Sequence, residues 1–229
     1  MFLPNPGILA AGSGVIPIGQ QLFAGRDQIF EFVVPDGVTS VAIVCIGQGQ
    51  SYRVDGLNRH GGAGGSLACY NFVAVEPGEL LQVSIGFSGA RVLRYGLTVC
   101  GVTGASLREP GVAVSDIGLA PAVFFPGGRG TAATANSGNA GGAGAGGYTS
   151  AGANGALGSP ARGGGGTSPM GGTAAGAAAG ASATTTGLNY GGGGAWSGGS
   201  GGEGAPGCVR IIWGPDRAYP NTNTGDMAA

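Results

Sequence analysis

The sequence predicts an all-β fold, a β-sandwich core with a long glycine-rich insertion, and three observations carry that prediction. Strand-length apolar runs recur between residues 21 and 104, each closed by a turn signal containing Gly or Pro. One more strand-like run, GCVRIIWG, stands at 207–214. Between them lies a tract of Gly, Ala, Ser and Thr in which Arg162 is the only charged residue between Arg129 and Glu203.

Residues 1–20 read as an N-terminal arm. The start, MFLPNPGILAAGSGVIPIG, lacks a basic region and is broken by Pro4, Pro6 and Pro17, so neither a signal peptide nor a spanning helix is expected. An extended arm of this kind can add a strand to a partner's sheet. The core follows at 21–104. In DQIFEFVVP, Ile29, Glu31 and Val33 alternate with Phe30, Phe32 and Val34, and the run stops at the turn signal Pro35-Asp36-Gly37. SVAIVCIG has no charge at all, which fits a strand covered on both faces. A loop with Tyr52, Arg53, Asp55, Arg59 and His60 leads to a third strand, GGSLACYNFVAV, ending at Glu76-Pro77-Gly78. ELLQVSIG is the fourth strand, and LRYGLTVCGVTG adds a short fifth.

From residue 105 the β pattern fades, and the insertion spans 105–206. The closing strand places Val209, Ile211 and Trp213 on one face and Cys208, Arg210 and Ile212 on the other. A strong strand after the tract makes the tract an excursion within one domain, because a tail needs nothing beyond it. The segment 215–229, PDRAYPNTNTGDMAA, is polar, rich in turn formers, and expected to be an extended tail.

Glycine supplies 54 of the 229 residues, against an average usage of about 7%. Each glycine loses more backbone freedom on folding than any other residue, which argues against a helical enzyme domain. Collagen needs glycine at every third position, and the consecutive Gly163 to Gly166 break that period. Two states suit the tract. One is a flexible linker. The other is a stack of extended polyglycine-II-like runs, three residues per turn, bonded run to run. The stack is favoured, because buried amides and carbonyls must be paired and because Leu157, Met170, Leu188, Tyr190 and Trp196 are embedded among the small residues.

Composition also removes whole classes of chemistry. There is no lysine, so a Walker-type phosphate loop and Schiff-base catalysis are both excluded. Ten arginines against eleven carboxylates leave no basic excess for nucleic acid. GAGAGG at 142–147 matches a dinucleotide fingerprint only in letters, since no strand precedes it and no helix follows. His60 is the one histidine, and no nucleophile or acid is spaced to build a catalytic site around it. No pair of carboxylates is singled out for glycoside cleavage. The expectation is therefore no enzyme activity, no cofactor and no metal. Cys45, Cys69, Cys100 and Cys208 are too far apart for paired CxxC ligands. They allow two disulfides in three connectivities, but each sits in an apolar run, which favours buried free thiols.

The order of these features resembles the glycine-rich domain of bacteriophage tail-fibre and other virion structural proteins. FVVPDGVTSVAIVCIGQG is similar to that family's strand, VP-x-GV turn and second strand running into glycine. GGAGGSLACYNFVAV, PGELLQVSIG, YGLTVCGVTGA, the glycine tract and GCVRIIWG follow in the family's order, across residues 29–226. The ending VRIIWGPDRAYPNTNTGD resembles the C-termini of cyanophage structural proteins. The tract departs from the family in being richer in alanine and threonine.

The resemblance implies a virion protein that assembles in the host cytoplasm, with a fibre or adhesin-like role in host attachment. A homotrimer mounted on other virion proteins by one terminus is expected, without membrane insertion. The rival reading is an architectural capsid decoration or connector protein with no receptor-binding role. Aromatic and arginine side chains dominate recognition surfaces, so Tyr52, Arg53, Arg59, His60, Tyr148, Arg162, Tyr190 and Trp196 are the candidate contacts to a bacterial surface polysaccharide or protein. For Tyr190 and Trp196 the alternative of plugging the glycine layers stands equally open.

Overall fold

The computed structural model describes residues 17–87, 89–104, 106, 109, 111–133, 139–157, 162–178, 187 and 189–226. Most of the expected N-terminal arm, residues 1–16, and Leu188 therefore lie outside the described residues.

Two five-stranded antiparallel sheets face each other. The first has the order β1 (Gly19–Gly25), β15 (Gly207–Trp213), β3 (Ser40–Ile46), β6 (Leu67–Ala74) and β11 (Val123–Phe125). The second has the order β10 (Ala113–Val114), β9 (Leu97–Thr103), β8 (Gly89–Arg94), β7 (Leu80–Gly86) and β2 (Gln28–Val33). Period-two alternation decides what faces inward. Val41, Ile43, Cys45, Tyr70, Val209 and Ile211 of the first sheet pack against Phe32, Leu81, Val83, Ile85, Val92 and Val102 of the second. Each large aliphatic or aromatic side chain buried there stabilises the fold by about 1.5–3 kcal/mol.

The two sheets differ on their outer faces. The second exposes Glu31 and Gln82 along with Ile29, Val33 and Leu80. The first is covered again, since Ala42, Val44, Ile46, Leu67, Cys69, Cys208 and Ile212 form another buried cluster with Tyr148 and Tyr219. That double burial is why β3 reads as an uninterrupted apolar run.

All the strands read from sequence are present, and several others were not legible. β1 lies partly in the span taken for the arm, and β8 has Arg91 and Arg94 interrupting its apolar pattern. β10 and β11 pair with β9 and β6. The sandwich therefore continues past residue 105, and the long tract that supplies most of the glycine layer begins after Phe125. The tail is also not simply extended. It folds back through an Ala218–Thr222 bridge and lies on the outer face of the first sheet, with the Arg210 guanidinium donating to Tyr219 Oη (3.0 Å) and to the Thr224 carbonyl (2.6 Å).

All four cysteines are buried free thiols. Burial, with Cys45 as the second cause, pushes the Cys69, Cys100 and Cys208 thiols well above the usual thiol range. Burial likewise raises the Tyr70, Tyr148 and Tyr219 phenols. Groups raised on folding stabilise the protein fully below their unfolded pKa, and that contribution is lost as pH climbs toward the folded value. Melting temperature is thus expected to hold through neutral pH, fall above about pH 8.5 as cysteine ionises in the unfolded chain, and fall faster above about pH 10 with tyrosine. Thiol titration at pH 8 should find no reactive cysteine until denaturant is added.

Beyond the sandwich, the glycine tract forms a hydrogen-bonded stack of extended runs centred on 140–147. Along this run the amides of Gly141 and Gly144 donate to 153–156, those of Gly142 and Ala145 to 162–165, and those of Ala143 and Gly146 to 62–65, all at 2.9–3.0 Å. Its carbonyls accept from Gly193, Gly128 and Ala177, each at 2.9 Å. Partners recur at every third residue, the repeat of a three-per-turn extended helix with no internal hydrogen bonds. Side chains are excluded wherever a neighbouring carbonyl approaches; a Cβ on Gly144 would stand 1.8 Å from the Ala177 oxygen. On the outermost runs, Ala153, Ala156, Ala174, Ala175 and Ala178 are exposed. The alanine enrichment thus falls partly on exposed positions, where a methyl meets no neighbouring carbonyl among the described residues.

Candidate functional site

Two hairpins bring the largest group of candidate residues together at the edge of the glycine stack. The first is β4 (Arg53–Asp55) with β5 (Asn58–His60), turning at Gly56 with φ 59° and placing Arg53 opposite His60. β5 is flanked by β12 (Ala132–Ala133). The second is β13 (Trp196–Ser197) with β14 (Ser200–Gly201). Its loop residues Gly198 and Gly199 have φ 59° and 89°, the two positive values that a tight hairpin turn requires.

Trp196 is the centre of the cluster. Its ring centroid lies 5.1 Å from that of Tyr52 at 43°, and the Arg59 guanidinium stands 5.1 Å over the Trp196 ring. A Cβ on Gly201 would meet the Tyr52 ring at 2.2 Å, so that ring rests directly on the backbone of the second hairpin. Trp196 is anchored by a reciprocal pair of backbone hydrogen bonds with Ala140 (2.8 and 2.9 Å), the first residue of the central run. Arg59 also donates to the Gly56 carbonyl at 3.3 Å. The aromatic pair is worth about 0.5–1.5 kcal/mol and the cation over the ring about 0.5–1 kcal/mol. The cluster holds its geometry chiefly through the backbone lattice behind it.

Tyr52, Arg59, His60 and Trp196 are half-buried, and Arg53 is exposed. Among the described residues, neither Arg53 nor Arg59 makes an ion pair. The arrangement presents aromatic edges, two cations and an imidazole. Such a surface can bind by stacking and by hydrogen bonds to anionic or hydroxyl groups, but it does not assemble a nucleophile with a base. No group of three or more His, Cys, Asp or Glu among the described residues is placed to hold a metal ion.

The remaining candidates are elsewhere. Tyr148 is 3% exposed, so its expected place among surface contacts is corrected. It stacks on Tyr219 with centroids 6.4 Å apart, and its hydroxyl donates to the Ser168 carbonyl. The apolar outer face of the first sheet needs that cover. Tyr190 packs partly buried against the same cluster, with its carbonyl accepting the Thr167 amide. Its half-buried ring makes the packing contact of the two readings. Arg162 is exposed on its own run. Sequence reasoning missed Gly201 and the Asn139 side chain, whose Oδ1 accepts the Gly198 amide at 3.1 Å. The Ser-Gly-Gly-Ser hairpin signal was present at 197–200, hidden in a tract where glycine is everywhere.

No family model matches the chain. No curated protein matches it either.

Proposed function

We propose that the chain is a non-enzymatic structural protein of a bacteriophage virion, working as a tail-fibre or adhesin-like appendage in host-surface attachment. One observation carries the reading: the Tyr52–Trp196–Arg59 stack, with Arg53 and His60 beside it, sits on a charge-poor, hydrogen-bonded glycine scaffold. Aromatic and arginine anchors supported in this way lose little conformational freedom on binding. The ligand class that fits them is a bacterial surface polysaccharide with anionic groups, which offers sugar faces to the rings and charge to the guanidiniums. The order of sequence motifs supports the phage assignment, and a homotrimer mounted on other virion proteins by one terminus is the assembly that goes with it.

Adsorption of the labelled full chain to a panel of cyanobacterial cells tests the proposal. Arg59→Ala and Trp196→Ala, each checked for an unchanged β-sheet spectrum, are expected to lose at least about tenfold in binding, the effect of removing an anchor worth 1.4 kcal/mol or more. Folded variants that adsorb like the parent would remove the cluster from host recognition.

The rival reading, an architectural decoration or connector protein, draws on the opposite end of the sandwich. There Val33 and Leu80 pair across strands while both remain exposed, and Tyr95 and Leu97 are exposed nearby in the β8–β9 hairpin. An exposed apolar group of this kind suits a contact with another protein. A chain that binds no cell in the panel but co-sediments with particles lacking it would favour that reading.

A further inference from the structure

The outer face of the first sheet carries a groove of about 410 Å3, lined by Ala42, Phe72, Ile212, Trp213 and Pro215 among others. It lies away from the glycine stack, because β3 starts beside it at Ser40 and runs toward the stack, while β15 arrives from the stack and ends there at Trp213. Phe72 is the unusual member. Val41 pairs with Val73 and Ile43 with Tyr70, so Asn71 and Phe72 together stand opposite Ala42. This bulge holds Phe72 at φ 57° with 82% of its surface exposed. A left-handed backbone at an aromatic residue is unfavourable, and bulges are a recurrent means of re-aiming one side chain.

The chain arrives at this end of the sheet from its N-terminal side. A Cβ on Gly214 would meet Ile18 Cγ1 at 2.9 Å, and one on Gly37 would meet Pro17 at 3.4 Å. Between Gly19 and Pro17 the backbone therefore passes from the edge strand β1, across the end of β15, to the turn before β3. The next strand in sheet order is β6, which carries Phe72. Residues 1–16 precede this point and contain Phe2, Leu3, Ile8 and Leu9 with no charged side chain. At about 3.3 Å per extended residue, only a few residues are needed to reach the groove.

We propose that residues 1–16 of the same chain seat their apolar side chains in this groove, against Phe72. The tether makes the contact intramolecular, so a modest apolar match suffices to keep it closed. Because Pro215 and Thr222 also line the groove, the arm would cover the C-terminal tail where it crosses the sheet.

Alkylation of a reporter cysteine tests this. Ser40 lines the groove and is exposed, and the four native cysteines are buried. In the full chain carrying Ser40→Cys, labelling by a neutral maleimide is expected to be about tenfold slower than in the same chain with Phe2, Leu3, Ile8 and Leu9 all changed to Ser. Phe72→Ser in the reporter background should accelerate labelling by a similar factor, and combining it with the arm changes should add nothing further. Equal rates with and without the arm changes would overturn the proposal. So would protection that fades on dilution, which would assign the groove to the arm of a second copy.

Discussion

Gly144→Ala is expected to destabilise the protein by more than about 4 kcal/mol, the exceptional end of the range for single substitutions. In a protein of this size that is a fall of roughly 10 °C or more in melting temperature. The added methyl would lie 1.8 Å from the Ala177 carbonyl oxygen, and Gly144 belongs to the most enclosed run of the stack. No rotation relieves the clash, because a Cβ has no torsion of its own. The run must move, and moving it lengthens the bonds from Gly144 to Ala153 and from Gly128 to Gly144, each worth about 1 kcal/mol. Gly225→Ala is the control. Nothing lies within 4 Å of a Cβ there and no positive φ is involved, so its melting temperature should match the parent's. A Gly144→Ala protein that melts with the parent would mean that the tract is not packed as a stack.

Arg210→Met is expected to release the C-terminal tail and cost about 1–3 kcal/mol, the penalty for stranding the Thr224 carbonyl, while Tyr219 Oη keeps its bond to the Pro169 carbonyl. Arg210 is 1% exposed on the doubly buried sheet. Its guanidinium serves Tyr219 Oη, the Thr224 carbonyl and an Asp226 carboxylate oxygen at 3.1 Å. Methionine matches the apolar stem but leaves Tyr219 and Thr224 without that partner. Asp226 has a side chain 69% exposed, so Asp226→Asn should change stability by well under 1 kcal/mol. Hydrogen exchange across 215–226 distinguishes the two variants. Protection should collapse in Arg210→Met and persist in Asp226→Asn; unchanged protection in the former would show that the tail is held by other contacts.

The sandwich was legible where pattern and environment agree. β2 alternates because one face meets water, and β3 is continuously apolar because neither does. β8 was missed for the converse reason: Arg91 and Arg94 break its pattern, and Arg94 finds its partner in Glu79, far enough along the chain that no local window pairs them. β10 and β11 have two and three residues, too short to show a period. Of the candidate site, the residue types were legible but their grouping was not. Tyr148 and Trp196 both stand among glycines, and nothing local distinguishes the one that plugs the sheet from the one that carries Arg59.

The sequence by itself determined an all-β chain, the faces of its longer strands, a charge-poor tract bounded by strands, and the absence of lysine chemistry. Side-chain pattern and composition are local properties, and they suffice for those conclusions. Only the tertiary structure decided which run bonds to which, which tyrosines are covered, and that Tyr52, Arg59 and Trp196 converge. An extended three-residue helix makes no hydrogen bonds within itself. Nearly all its partners are therefore distant in sequence, and for the run 140–147 they reach from Gly62 to Trp196.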